Sequence, residues 1–309
     1  MAVTALPPVE KLPLAQRKDV RDNFDNKKAD MEKELSSALG QAWTIDVNIN
    51  AIYPYAPNDN YGQHSPGSMT AEYIDSAIRR IKYYKDKFGA DGVDELNKAA
   101  TAHVLTIDMD LEEKFTYCGP KISDDGKLVI LINPNNVACN IDDAINNDKL
   151  TAALNEAPGA SSAALSFVAR QGIAQDYDTQ IGEVKETLKK QLGKDITLEP
   201  NFEEAFAKLK ANGLATEYES RLGSFVYLYF KSVARALEYN NVSKDEMVLE
   251  ALEEEMGENK IAFRLLDKGG LSSGYGEAKF EGGVVYVQTD IDHYGSNIDD
   301  AANKILDQL

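Results

Sequence analysis

The chain has 309 residues, 43% hydrophobic and 27% charged, a globular balance that excludes disorder and low complexity and suits about two domains. Its formal net charge of −18 repels nucleic acid and anionic membrane surfaces. The nearest basic grouping, Arg79, Arg80, Lys82, Lys85 and Lys87, is spread along a helix and reads as a solvated face.

In chain order, residues 1–16 carry prolines and no long apolar run, and form an N-terminal extension that is not a signal peptide. Val20, Phe24, Met31, Leu35 and Leu39 then fall on one helical face, and Gly40 ends the helix as a C′ glycine. Trp43, Ile45, Val47 and Ile49 alternate as a half-buried strand. A loop rich in Pro, Asn, Tyr and Gly leads to a helix over about Met69 to Lys87, and a shorter helix follows near Val93 to Ala100. Leu105, Ile107, Met109 and Leu111 alternate as a strand. The apolar run Leu128 to Ile132 reads as a buried strand, and a last short helix starts at Asn140.

The same order then recurs. Arg17, Asp25, Leu35, Leu39, Gly40, Thr44 and Asn48 line up without a gap against Arg170, Asp178, Leu188, Leu192, Gly193, Thr197 and Asn201. After a small insertion, Gly67, Ser68, Tyr73, Ser76, Arg79, Tyr83 and Leu96 meet Gly223, Ser224, Tyr229, Ser232, Arg235, Tyr239 and Leu252. With one further residue of shift, Asp110, Gly119 and Gly126 meet Asp267, Gly276 and Gly283, and Asn140-Ile141-Asp142-Asp143-Ala144 repeats as Asn297-Ile298-Asp299-Asp300-Ala301. Collinear similarity in three segments indicates a tandem duplication. The expected fold is α+β: two units of roughly α-β-α-α-β-β-α, each a small, mostly antiparallel sheet with flanking helices, arranged as a pseudo-dimer. The boundaries are 17–150 for the first unit, 151–166 for a linker rich in Ala, Ser, Gly and Pro, and 167–309 for the second unit. Pro200 shortens the second copy of the first strand or sets it at an edge.

Residues that both copies keep read as scaffold, and residues that diverge are where function is sought. The Asn-Ile-Asp-Asp segments read as helix caps, with Asp complementing the macrodipole. Asp290, Asp292 and Gly295 resemble the start of a calcium loop, but Tyr294 and Ala301 stand where further ligands are needed. A high-affinity EF-hand is thereby excluded, and a weak calcium site on Asp290 and Asp292 remains. Asp108, Asp110 and Glu112 read as a solvated sheet face. Gly269, Gly270, Gly274 and Gly276 lie between strands and open no helix, so they read as a hairpin loop and not a phosphate loop.

The ligand-binding candidate is the loop from Tyr53 to Ser68, with Tyr53, Tyr55, Tyr61, His64 and Ser68. It is aromatic, stiffened by prolines, and runs into a helix N-terminus suited to an anion. The second copy has Glu217, Tyr218, Glu219 and Arg221 there and no histidine. No Ser-His-Asp or Cys-His signature is assignable. Cys118 and Cys139 are too few for a disulfide framework and lack zinc spacing. The functional expectation is a non-catalytic, cytoplasmic binding or assembly protein with free thiols and no cofactor. Its partner is a protein or small molecule, self-association included, and neither nucleic acid nor a membrane. The alternative is an enzyme with one active site in the inter-repeat cleft, using Tyr61, His64 and acidic residues.

Overall fold

A computed structural model describes residues 3–158, 165–213, 217–271 and 274–309. The chain divides into two units, Met1–Ser162 and Ala163–Leu309. Part of the expected linker (159–164), part of the Gly-rich segment (272–273) and the first two residues of the extension lie outside the described residues, as do 214–216.

In the first unit, α1 (Leu14–Val20) runs through a π-helical turn (Arg21–Asp25) into α2 (Asn26–Leu39), which stops at Gly40 with φ of 72°. The alternation after Trp43 yields only β1 (Thr44–Ile45), because Asn48 accepts a hydrogen bond from the Ala51 N–H and starts α3 (Ile49–Ile52). A 3-10 turn (Tyr53–Tyr55) and α4 (Tyr61–His64) lead to α5 (Pro66–Ala99). The two helices expected in this stretch meet at Gly89, where φ of 62° and ψ of −149° break the helix. Strands β2 (Val104–Met109), β3 (Cys118–Ile122) and β4 (Leu128–Ile132) follow, then a 3-10 turn (Ile141–Asp143) and α6 (Asn147–Asn155). The expected linker therefore begins inside a helix whose Leu150, Ala153 and Leu154 are buried. The N-terminal extension is tied to the unit by Val3 N–H to Leu111 O (2.9 Å) and Val9 N–H to Asn50 O (3.0 Å).

The sheet order is β1-β2-β4-β3. β1 pairs with β2 and β2 with β4 in parallel, and β3 alone is antiparallel, against β4. The expectation of a mostly antiparallel sheet is corrected: the sheet is mixed. A parallel neighbour needs a long crossover, and the helical stretch between β1 and β2 supplies it. β3 escaped the sequence reading because Gly119, Pro120 and Lys121 interrupt any apolar pattern. A proline is tolerated there because the strand is an edge.

The second unit has α7 (Phe167–Gly172), a π-helical turn (Ile173–Tyr177), α8 (Ile181–Leu192), β5 (Thr197–Glu199), α9 (Phe202–Ala211) and α10 (Glu217–Tyr239). A 3-10 turn (Val242–Lys244), α11 (Glu246–Glu255), β6 (Lys260–Leu266), β7 (Glu277–Glu281) and β8 (Val284–Asp290) follow, then 3-10 turns at Ile298–Asp300 and Ile305–Gln308. Its sheet is mixed as well, in the order β5-β6-β8-β7, with β5∥β6 and β6∥β8. β7 pairs antiparallel with β8, so the hairpin turn is Gly282-Gly283. The Gly-rich segment after β6 is not a hairpin loop. It joins strands that are not neighbours and crosses the end of β8.

Each unit has its own apolar core. Trp43, Ile45, Tyr73 and Leu105 are buried in the first, and Leu188, Tyr229, Phe230 and Phe263 in the second. Trp43 Nε1 donates to Asn97 Oδ1 at 3.0 Å, so the indole is satisfied as well as buried. Among the described residues, no helix is long and apolar enough to cross a membrane.

The opening helix touches the long helix backbone to backbone in each unit. A Cβ on Gly67 would come within 2.5 Å of Val20 Cα, and one on Gly223 within 2.4 Å of Gly172 O. Neither neighbour is a side chain that can swing away. We expect Gly67→Ala and Gly223→Ala each to cost about 1–3 kcal/mol. Denaturant unfolding followed by Trp43 fluorescence reads the first, and unfolding followed by circular dichroism reads the second. Unchanged midpoints would show that the helices separate without cost.

Candidate functional site

The loop from Tyr53 to Ser68 uses most of its polar ends internally. The Leu6 N–H donates to Tyr55 Oη at 2.7 Å, and Asn60 Oδ1 caps α4 by accepting from the Gly62 N–H. Tyr61 Oη donates to Glu72 Oε1 at 2.8 Å; burial first, then this bond to the Glu72 carboxylate, pushes its pKa up to about 12. His64, with 63% of its side chain exposed, lies 3.8 Å from the exposed Asp59. Tyr53 is half-buried. The structure thus gathers Tyr61 with Glu72 and His64 with Asp59, and turns Tyr55 toward the N-terminal extension.

The helix start at Ser68 already holds an anion, the carboxylate of Asp19. It accepts from Gly67 N–H at 2.6 Å, Ser68 N–H at 3.1 Å and Ser68 Oγ–H at 2.7 Å, and Asn23 donates to it as well. A helix leaves its first N–H groups without partners, and a carboxylate there is favoured by hydrogen bonding and by the macrodipole. In the second unit Gly172 stands where Asp19 stands. There α10 starts at Glu217, so the amides of Gly223 and Ser224 lie inside the helix and need no external acceptor.

Glu72, which accepts from the Tyr61 hydroxyl, lines a cleft of about 720 Å³. Asp75, Arg79, Asn140, Asp142 and Asp143 also line it. Arg79 Nη2 donates to Asp142 Oδ1 at 2.9 Å, and Arg235 Nη1 donates to Asp299 Oδ1 at 2.9 Å in the second unit. Burial first, then the neighbouring Glu34, raises the Asp75 carboxyl. The cleft is therefore acidic, with its one lining arginine already paired. Asn140 and Asn297 do not cap with their side chains. They stand at φ of 46° and 44°, so what the turn asks of them is a left-handed backbone.

The other concentration of polar groups lies where the crossing segment passes the end of the middle strand. In the first unit Asn133 Nδ2 donates to Phe115 O and Asn136 Nδ2 to Thr116 O, both at 2.8 Å, and Asp110 Oδ2 accepts from Phe115 N–H at 2.7 Å. Asp110 is buried by this role, which corrects the solvated-face reading. In the second unit Asp290, 1% exposed, takes the place of Asn133. It accepts from the N–H groups of Leu271 and His293, and His293 Nδ1 lies 2.7 Å from its Oδ1. Burial pushes the Asp290 carboxyl up, but the His293 side chain and these N–H donors outweigh it and hold it below the ordinary aspartate value. Tyr275 packs edge-on against the His293 ring, with centroids 5.3 Å apart.

Sequence reasoning reads Asp290 only as part of a weak calcium site and does not pair it with His293. The signal of the pair is an Asp and a His three residues apart, directly after an apolar strand. Asp292 pairs with Lys268 at 3.1 Å. Among the described residues no three His, Cys, Asp or Glu side chains come together as metal ligands. Cys118 is buried and Cys139 exposed, both free, and burial pushes the Cys118 thiol up to about 12. No family model, curated protein or solved structure matches this chain.

The Asp19 pin has a pH signature. Burial raises its carboxyl, but the bonds from Ser68, Asn23 and Gly67 prevail and hold it below the ordinary value. A carboxyl depressed in the folded state stabilises fully above its unfolded value, and that contribution disappears as pH falls through the folded value. We expect Asp19→Asn to weaken the first unit at neutral pH and to flatten its acid loss between about pH 5 and about pH 2. Trp43 fluorescence across a denaturant and pH grid tests this. An acid limb identical to wild type would remove the pin from the account.

Proposed function

We propose that this chain is a non-catalytic binding or assembly protein made by tandem duplication of one α+β module and working as a pseudo-dimer. The observation that carries the reading is a repeated exposed tyrosine. Tyr83 and Tyr239 occupy matching places on the long helices and are 58% and 86% exposed. Each stands one helical turn beyond an arginine, Arg79 or Arg235, that is paired with the Asp of the Asn-Ile-Asp-Asp turn. A buried residue present in both copies is explained by packing. A tyrosine in water in both copies is not, and tyrosine beside arginine is the composition that dominates binding energy at interfaces. The loop of Tyr53, Tyr55, Tyr61, His64 and Ser68 adds an aromatic edge in the first unit. The net charge of −18 favours a partner that is neutral or basic over nucleic acid. Free thiols suit the cytoplasm.

Duplication is supported by features that each unit has separately. These are the same strand order, a π-helical turn at the same place, the glycine contact with the opening helix and the Arg–Asp pair. A tyrosine hydroxyl, Tyr73 or Tyr229, also accepts an N–H from the turn before each Asn-Ile-Asp-Asp segment.

Photoreactive p-benzoylphenylalanine in place of Tyr83 or Tyr239 should give the same cross-linked polypeptide in cells, whether another protein or a second copy. A control at the exposed Glu186 should not. Adducts absent at both tyrosines, or matched by the control, would reject the binding reading. The pseudo-dimer is tested separately by limited proteolysis near Pro158, after which the two fragments should co-migrate in gel filtration. Folded fragments that elute apart would refute it.

A further inference from the structure

The two units carry opposite charge along the solvent side of the long helix and the helix that follows it. In the first unit the stretch before the Gly89 break has Arg79, Arg80, Lys82, Lys85 and Lys87 against one carboxylate, Asp86. The matching stretch of the second unit keeps Arg235 but has Glu238, Asn241 and Ser243 in place of the three lysines. Beyond the break the balance reverses. α11 carries Glu246, Glu250, Glu253, Glu254 and Glu255, where the first unit has Ala90, Asp94, Asn97, Lys98 and Ala99. Among the described residues Glu246, Glu250, Glu254 and Glu255 form no ion pair, and Glu253 meets Lys194 at 4.0 Å. On the basic side Arg79 is paired with Asp142 and Lys82 with Glu34. Arg80 reaches only the Asp142 carbonyl, Lys87 lies over the Phe88 ring, and Lys85 forms no ion pair among the described residues. Each face also holds a large side chain in water. Tyr83, 58% exposed, has Arg79, Arg80 and Lys87 one helical turn away. Met247, 75% exposed, lines a shallow depression of about 450 Å³ with Leu249, Glu246, Glu250 and Glu253.

We propose that these two faces bind each other between copies: the Tyr83 face of one chain docks on the α11 face of a second. This names the partner of the exposed tyrosine and so rests on the binding reading above. At a net charge of −18 two copies repel each other over most of their surface, so association needs a patch of the other sign. The stretch from Arg79 to Lys87 is that patch. The α11 face is what it fits. Glu246 and Glu250, and Glu250 and Glu254, are like charges four residues apart, which destabilises a helix left in water. Cations from a second copy relieve that repulsion. A thioether against an aromatic ring is a favourable contact, so Met247 suits Tyr83. The two faces are different surfaces, and the contact is therefore heterologous. Every copy offers one donor and one acceptor, and association runs on to a ring or an open chain. Surface charge contacts are weak and screened, so assembly belongs to high protein concentration and low salt.

Sedimentation velocity of the full chain should show concentration-dependent assembly at about 0.01 M salt that is lost at about 1 M. Two variants separate the faces. Glu246→Gln with Met247→Ser and Glu250→Gln removes the acceptor, and Tyr83→Ser with Lys85→Gln and Lys87→Gln removes the donor. Each alone should stay monomeric where the wild type assembles. An equimolar mixture of the two should give a dimer that grows no further, because it contains one intact donor and one intact acceptor. A wild-type chain that is monomeric at about 1 mM in low salt, an assembly indifferent to salt, or a mixture that stays monomeric would each overturn the proposal. A Tyr83 adduct to a different protein would overturn it as well and leave the binding reading intact, whereas adducts absent at both tyrosines reject the binding reading itself.

Discussion

The constraint on which both units depend is that the last strand in sequence lies between two earlier ones. β4 is inserted between β2 and β3, and β8 between β6 and β7. The segment linking the two outer partners must then pass over the carboxyl end of the inserted strand. Its backbone leaves the sheet there and still needs hydrogen-bond partners. The side chains at the strand end supply them: Asn133 and Asn136 in the first unit, Thr289 and Asp290 in the second. In open sheets with parallel strands the carboxyl ends are also where ligands bind. Topology therefore concentrates polar side chains at the end of the sheet where chemistry is usually found, and a buried carboxylate there has a structural occupation before any functional one.

This sets the meaning of the Asp290–His293 pair. A carboxylate that fixes an imidazole is a familiar part of acid–base sites. Here the same carboxylate also holds the crossing segment, and the first unit does the equivalent work with asparagine. What the second unit has in addition is the histidine, not the anchor. The helix starts diverge by the same logic. Asp19 is required where α5 begins beside Gly67, and Gly172 suffices where α10 begins a turn and a half earlier.

Long periodic elements were legible from sequence, because burial writes itself into spacing. The helical face of Met31, Leu35 and Leu39, the glycine stops at Gly40 and Gly193, the run Leu128–Ile132 and the buried Trp43 all stand where the pattern puts them, whereas a π-helical turn interrupts the face between Val20 and Met31. What stayed hidden was set by partners distant in sequence. β3, with Gly119-Pro120-Lys121, has no periodicity of its own and exists because β4 pairs with it. The direction of pairing is likewise absent from the alternation of Leu105, Ile107 and Met109, which suits either hand of neighbour. The Tyr53–Ser68 loop was recognisable as unusual, but not that its hydroxyls turn inward, since Glu72 and Asp19 come from elsewhere in the chain.

The two π-helical turns carry a further implication. Each contains one residue beyond what an α-helix would use. Excising that surplus residue would restore ordinary helix and swing everything before it through about 100°. Asp19 would then face away from Gly67, and the backbone of Val20 would no longer meet the long helix at its glycine. The angular setting of each opening helix is thus held by a count of residues as well as by the buried Phe24 and Tyr177. Substitutions at the exposed Arg21, Asp22, Ala174 or Gln175 should be better absorbed than any change in residue number, whereas Phe24 and Tyr177 are held by burial as well.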